Sequence, residues 1–221
     1  MNSTINYFFN QSERPIYKWT HYLEIYDKVF QKFQNTECKV LEIGVYQGGS
    51  LQMWKNFFGK KSTIIGFDID ERCKNFEENQ IHIRIGNQKS INDLENLVKE
   101  FKNFDVIIDD GSHFSQDQIT TFKFLFEHLN NDGIYLVEDI HTSYWETHEG
   151  GIKKENSFVE FSKNKIDEIN GYHNKIINFY TKNLKSISFY DSMIFFEKKI
   201  NIKEPFVYES MNGVLKTWKI N

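Results

Sequence analysis

Two acidic clusters are the residues of this chain best suited to chemistry. Asp109, Asp110, Gly111, Ser112 and His113 form one run, and Glu138 and Asp139 form a second. Carboxylates gathered from such runs repel unless protonated or neutralised, and the simplest neutraliser is a hard divalent cation. Oxygen ligands favour Mg2+ over zinc, since no cysteine or second histidine of the run supplies a softer ligand. His113 follows Asp110 by three positions. It is close enough to share a pocket, and an imidazole titrating near neutrality can act as a general base. Taken alone, it reads equally as an exposed turn histidine or as one that bonds a carboxylate.

A second constellation lies upstream. Leu41 to Trp54 reads LEIGVYQGGSLQMW. A strand ends at Glu42-Ile43, a glycine-bearing loop follows, and Ser50 is placed to cap the next helix. Gly44 and Gly48 let backbone pass close to a ligand, and a helix amino terminus favours a carboxylate or phosphate. The alternative is a tight strand-to-helix turn with no ligand. The next strand ends in Phe67-Asp68-Ile69-Asp70. Asp68 is placed to accept hydrogen bonds from ribose hydroxyls, and Asp70 to cap the helix after it. The loop GVYQGG lacks the G-x-G-x-x-G spacing of a dinucleotide pyrophosphate site.

The elements that must position these residues alternate. Short apolar runs at 39–43, 63–67, 81–85, 105–109 and 133–137 read as strands. Helical patterns over 50–58, 71–79, 91–101 and 116–129 separate them. Such alternation builds an α/β, Rossmann-like fold with a parallel sheet and helices on both faces. Ser157 to Tyr180 carries helical periodicity, with Phe158, Phe161, Ile166, Ile169, Ile176 and Phe179 as its apolar face. Runs at 186–190 and 193–197, joined by Asp191-Ser192, predict a late antiparallel hairpin. The sheet is then mostly parallel and seven-stranded. Residues 1–35, with Tyr17, Trp19, Tyr22, Tyr26 and Phe30, read as a helical, aromatic segment packed on a single domain spanning 36–221.

One late antiparallel strand on a parallel sheet is the arrangement of class I methyltransferases. Glu-x-Gly-x-x-x-Gly resembles the first motif of S-adenosylmethionine-dependent methyltransferases. The string DDGSH, followed by FKFLFEHLNNDGIYLVEDIHTSYW, resembles the metal-dependent macrolide and rhamnosyl sugar O-methyltransferases of the mycinamicin and tylosin-pathway type. Residues 19–30 and the stretch after Gly150-Gly151 extend the resemblance over most of 17–170. It implies S-adenosylmethionine at Glu42, Gly44, Gly48 and Ser50, its ribose at Asp68, its adenine near Asn87 and Gln88, and Asp109 at the cofactor edge. It implies Mg2+, or another divalent cation, on Asp110, Glu138 and Asp139, with His113 as base. His141, Thr142, Tyr144 and Trp145 would wall the acceptor site. The implied activity is Mg2+-assisted methylation of a sugar hydroxyl on a surface glycan, nucleotide sugar or glycosylated metabolite, by a possible homo-oligomer. A catechol-type methyltransferase and a nicotinamide-dependent oxidoreductase are the alternative enzyme classes.

Composition mainly excludes. A formal charge of -4, from 27 basic and 31 acidic residues, gives no electrostatic grip on nucleic acid or an anionic membrane. No apolar run approaches the ~20 residues of a membrane helix. Cys38 and Cys73 lack metal or redox spacing, and no charged leader precedes an apolar stretch, so the chain reads as cytoplasmic with free thiols. The chain has 26 Ile, 24 Lys, 22 Asn and no alanine, a skew attributable to an A+T-rich genome. That origin shifts the expected acceptor from a macrolide sugar toward a surface or nucleotide-linked sugar. Lys153-Lys154 and Lys198-Lys199 read as solvated surface charges.

Overall fold

The structure, a computed structural model, describes residues 2–218; Met1 and residues 219–221, the ends of the two predicted segments, lie outside it. Two helices, α1 (Thr4–Asn10) and α2 (Thr20–Val29), precede the sheet. Then come β1 (Lys39–Ile43), α3 (Gly49–Phe58), β2 (Thr63–Asp68), β3 (Ile81–Ile85), α4 (Ile91–Phe101), β4 (Phe104–Asp109), α5 (Ser115–Leu125) and β5 (Leu129–Val137). Three short helices, α6 (Phe158–Ile169), α7 (Gly171–Asn174) and α8 (Phe179–Asn183), lead into β6 (Leu184–Tyr190) and β7 (Met193–Lys198). The seven strands run in the order β3-β2-β1-β4-β5-β7-β6, with β7 antiparallel to both of its neighbours. This is the predicted class I methyltransferase fold.

Period-two alternation divides the core between the two faces of the sheet. From β1, Val40 joins one apolar cluster with Trp54, Phe57 and Phe58, while Leu41 and Ile43 join the other with Phe122 and Tyr135. The N-terminal segment belongs to the first cluster: Tyr22, Tyr26 and the cap residue Phe30 recur every four residues along one face of α2 and are buried, Tyr26 and Phe30 against Trp54. Tyr17 and Trp19, just before α2, stay exposed.

The strand order reverses between β1 and β4, where an open α/β sheet forms a crevice at its carboxyl ends. Register sets the level of the three central exits. Ile43 lies opposite Asp109, and Asp109 opposite Val137. Gly44, Asp110 and Glu138 therefore leave the sheet side by side.

Four local expectations change. The pattern over 71–79 closes as a 3-10 turn from Glu71 to Phe76. The helix expected to reach Leu129 ends at Leu125, and Leu129 starts β5 instead. The single helix expected over 157–180 breaks into α6, α7 and α8, because Lys175 turns left-handed and Asn178 opens a capping box with Thr181. Phe158 is buried as predicted, whereas Ile166, Ile176 and Phe179 face outward. A further hairpin, β8 (Val207–Met211) and β9 (Val214–Trp218), turns at Asn212-Gly213. That dipeptide is the strongest short hairpin signal and was legible. Among the described residues no helix is long and apolar enough to cross a membrane, and both cysteines are free and buried.

Lys198 corrects the surface reading of its pair. Only 4% exposed, it donates to the carbonyls of Phe126 (3.0 Å) and Glu127 (2.8 Å) at the end of α5. Burial lowers its pKa from 10.5 to about 8. Between those two values the unfolded chain holds a proton that the native chain has released, so this group makes stability rise with pH there. Below about 8 the ammonium is charged in both states and its burial cost is complete. Urea melts at pH 7.5 and pH 10 are expected to show wild type gaining stability relative to Lys198→Met. Equal differences at the two pH values would contradict the assignment.

Candidate active site

The loop after β1 folds around two left-handed glycines, Gly44 (φ +91°) and Gly48 (φ +74°), and Gly48 occupies the cap position of α3. Ser50 is therefore not the predicted cap. It lies inside the first turn, and its hydroxyl donates to Glu42 at 2.6 Å. Asp68 reaches across from β2 and accepts from the backbone N–H groups of Val45 (2.6 Å), Tyr46 (3.3 Å) and Asp70 (2.9 Å). These donors fix the carboxylate at the mouth of the loop and leave lone pairs for a ligand. A cleft of about 910 Å³ opens here, lined by Gly44, Ser50, Asp68, Asp110, His113 and Asp139 along with residues 15–18.

A smaller pocket of about 210 Å³ adjoins it, with Asp68, Asn87 and Gln88 in its wall. Gln88 is largely committed to structure: its amide donates to Asp109 (3.3 Å) and Thr121 (3.2 Å), and its oxygen accepts from Ser112 N (2.7 Å). Asp109, expected at the cofactor edge, is instead wholly buried behind the cleft among Gln88 and Tyr135. Burial pushes its pKa up to about 7.

The acids do converge, in two layers. Facing the cleft, Asp110, His113 and Asp139 bring ligand atoms within 4.8 Å of one another. His113 Nε2 is 4.0 Å from Asp110 Oδ1 and 3.9 Å from Asp139 Oδ2. Its Nδ1 is buried without a hydrogen-bond partner, so Nε2 is the nitrogen offered to the cleft. Behind them stands Glu138, the predicted third ligand, which is not in this group. It is fully buried, with Oε1 accepting from Tyr26 (2.7 Å) and Oε2 from Lys18 (2.8 Å). Burial pushes Glu138 up to about 8, against the opposing pull of Lys18.

Lys18 was not foreseen. Its ammonium also meets Asp110 (2.5 Å) and Glu42 (3.3 Å). Burial alone would lower its pKa, but the three carboxylates outweigh burial and hold the group charged well above the usual lysine range. Part of the neutralisation expected of a metal is thus supplied by the chain itself. As one of 24 lysines, Lys18 carries no compositional signal. The partial signal is spacing: Tyr22 and Tyr26, one turn apart on α2, reach Asp139 and Glu138, and Lys18 lies four residues before Tyr22.

The predicted acceptor wall also divides. Tyr144 and Trp145 are half exposed, and neither is among the residues that line the cleft. His141 meets Trp145 and Trp19 edge-on, at ring separations of 4.6 and 5.8 Å. Thr142 turns inward, and its hydroxyl donates to the carbonyls of His113 (3.0 Å) and Asp139 (2.8 Å). It ties the loop after β4 to the loop after β5 instead of lining a sugar site.

Sheet order, glycine loop and strand-end acids together define a class I methyltransferase fold. Residues 41–140 match the family described as a methyltransferase domain. Over 127 residues the chain is 41% identical to demethylmacrocin O-methyltransferase of Streptomyces fradiae, covering 54% of this chain and 32% of that protein. Over 196 residues it is 32% identical to 8-demethyl-8-alpha-L-rhamnosyl tetracenomycin-C 2'-O-methyltransferase of Streptomyces olivaceus, covering 81% of this chain and 50% of the relative. A solved methyltransferase of the mycinamycin biosynthetic pathway, in complex with Mg and SAH, superposes with a TM-score of 0.83 at 28% identity, over 92% of this chain and 55% of its own. The chain therefore spans half or less of the length of these curated relatives.

Proposed function

We propose that the chain is an S-adenosylmethionine-dependent, Mg2+-assisted O-methyltransferase acting on a sugar hydroxyl. The observation that carries this reading is the convergence of Asp110, His113 and Asp139 at the mouth of the cleft built by Gly44 and Asp68. The glycine loop receives the methionine end of the cofactor, Asp68 its ribose, and the pocket beside Asn87 its adenine. Asp110 and Asp139 hold the divalent ion, and Glu138 joins them through lone pairs left by Lys18 and Tyr26. The bound ion supplies Lewis acidity that makes an alcohol a better nucleophile at neutral pH.

His113 Nε2 accepts the hydroxyl proton as the oxygen bonds to the methyl carbon and the sulfur keeps the electron pair of the breaking bond. The shared edge of the sheet aligns donor and acceptor, which makes the transfer effectively unimolecular. Trp19, His141 and Trp145 pack as an aromatic cluster whose His141 lies 3.9 Å from Asp139, a surface suited to the apolar face of a sugar ring. The similarity to sugar O-methyltransferases supports this acceptor class. The Asn-, Lys- and Ile-rich composition favours a surface or nucleotide-linked sugar.

The test is methyl transfer to nucleotide sugars, glycosides and catechols, with EDTA or with added Mg2+. Turnover on a sugar that EDTA abolishes and Mg2+ restores is expected. Full activity in EDTA would remove the ion from the reaction, and a preference for catechols would replace the acceptor class.

A further inference from the structure

We infer that Lys18 is a positioning residue for the divalent-ion site, one ammonium that holds Asp110 and Glu138 in the orientation the ion requires. The inference rests on the metal-assisted reading above and extends it to a residue outside the strand-end motifs.

Three observations carry it. First, the Lys18 side chain is 3% exposed and its ammonium meets acids from three different strands: Glu42 in β1, Asp110 after β4 and Glu138 after β5. An incidental surface pair has one partner and water. Second, the contact is selective by oxygen. Lys18 takes Asp110 Oδ2, and Asp110 Oδ1 is left toward His113. Tyr22 likewise takes Asp139 Oδ1 at 2.8 Å, and Asp139 Oδ2 is left toward His113. The donors from residues 18 and 22 thus settle which oxygen of each acid faces the cleft. Third, the segment carrying Lys18 is wedged against the cofactor loop. A Cβ on Gly49 would lie 2.3 Å from the carbonyl of Pro15 and 2.7 Å from that of Arg14. Lys18 is therefore held from both sides, by this contact and by the buried face of α2.

Charge balance agrees with a permanent role. Glu42, Asp110, Glu138 and Asp139 bring four negative charges when ionised, and Lys18 cancels one. A divalent ion would cancel two of the three that remain. Lys18 and the ion are then complementary and do not compete. Among the described residues no other hydrogen bond is donated to the Asp110 carboxylate, so loss of the ammonium frees the torsion that aims Oδ1 at the cluster, and Glu138 loses one of its two side-chain donors. Outer partners of metal ligands typically govern about 10- to 100-fold in metal affinity.

Mn2+ serves as the probe, titrated by the paramagnetic resonance of the free ion, with S-adenosylhomocysteine binding used to count folded molecules. Lys18→Met is expected to weaken Mn2+ binding by about 10- to 100-fold per folded molecule. Tyr26→Phe, which removes one donor to Glu138 alone, is expected to weaken it by a smaller factor. The Mg2+ concentration for half-maximal turnover should rise with the Mn2+ dissociation constant across the series. Mn2+ binding by Lys18→Met that is unchanged, or tighter because a competing positive charge has gone, would overturn the proposal. Should Lys18→Met fail to fold, Lys18→Gln and Tyr22→Phe are titrated in its place, and wild-type affinity in both overturns it equally. Absence of Mn2+ binding in wild type would be a different result: it removes the ion itself, and this proposal with it.

Discussion

His113→Ala is expected to lower methyl transfer by about 10³-fold, within the range typical of a lost general base, while leaving S-adenosylhomocysteine affinity nearly unchanged. The structure separates the two readouts. His113 stands beside Asp110 and Asp139, whereas Asp68, the proposed ribose ligand, is held by the backbone of Val45 and Tyr46 in the loop after β1. The residue is also held in an uncommon backbone conformation, at φ 58°, with its carbonyl anchored by the Thr142 hydroxyl. Strained backbone at a cleft persists when surrounding structure over-determines it. Here the tether fixes the ring between two carboxylate oxygens. His113→Gln retains polarity without a basic nitrogen and should fall nearly as far. Single-turnover kinetics with saturating cofactor, paired with calorimetry of cofactor binding, checks both halves. Normal turnover would remove His113 from proton transfer, and collapse of cofactor binding in step with rate would recast it as a structural residue.

Legibility in the sequence depends on how local each signal is. Asp110 and His113 lie in one short string after an apolar run, so their convergence needed only the alternation of strands and helices. Asp68 was placed by the same logic, one strand over. Contacts between distant parts of the chain were not legible. Lys18 and Glu138 are separated by 120 positions, and nothing near either residue marks the other. Four acids demand compensation, but the sequence does not say whether a metal or a side chain provides it, and the fold uses Lys18 for part. Ser50 misled because Ser before an apolar run is the usual helix cap, whereas here a left-handed Gly48 takes that place and frees the hydroxyl for Glu42. Thr142 and Lys198 failed similarly: each is polar, and each turns inward because backbone carbonyls at a loop or a helix end need donors. The break after Ile169 was obscured by apolar periodicity continuing through Ile176 and Phe179, which turn out to face solvent.

Gly44→Ala is expected to cost about 3 kcal/mol or more of stability, from overpacking added to a left-handed backbone. Its larger consequence is that one methyl group on the cofactor loop should disable the ion site. A Cβ on Gly44 would lie 2.1 Å from the carbonyl oxygen of Asp110, 2.8 Å from its carbonyl carbon and 3.2 Å from the Cα of Gly111. All three are backbone atoms, so no rotamer change relieves the clash. The same peptide is tied to β1 by the Asp110 N–H donating to the Ile43 carbonyl at 2.9 Å. Moving Asp110 away strains that bond and shifts the carboxylate held by Lys18. Cofactor and divalent-ion binding should therefore be lost together. Gly151→Ala is the matched control, since its Cβ would meet only Lys154 side-chain carbons at 3.6 Å, an ordinary contact. Urea melts combined with separate titrations of S-adenosylhomocysteine and Mn2+ measure the coupling. A folded Gly44→Ala protein that loses the cofactor yet binds Mn2+ like wild type would show that the two loops act independently. Joint loss would locate the tie between the two ligands at the backbone contact between the loops after β1 and β4.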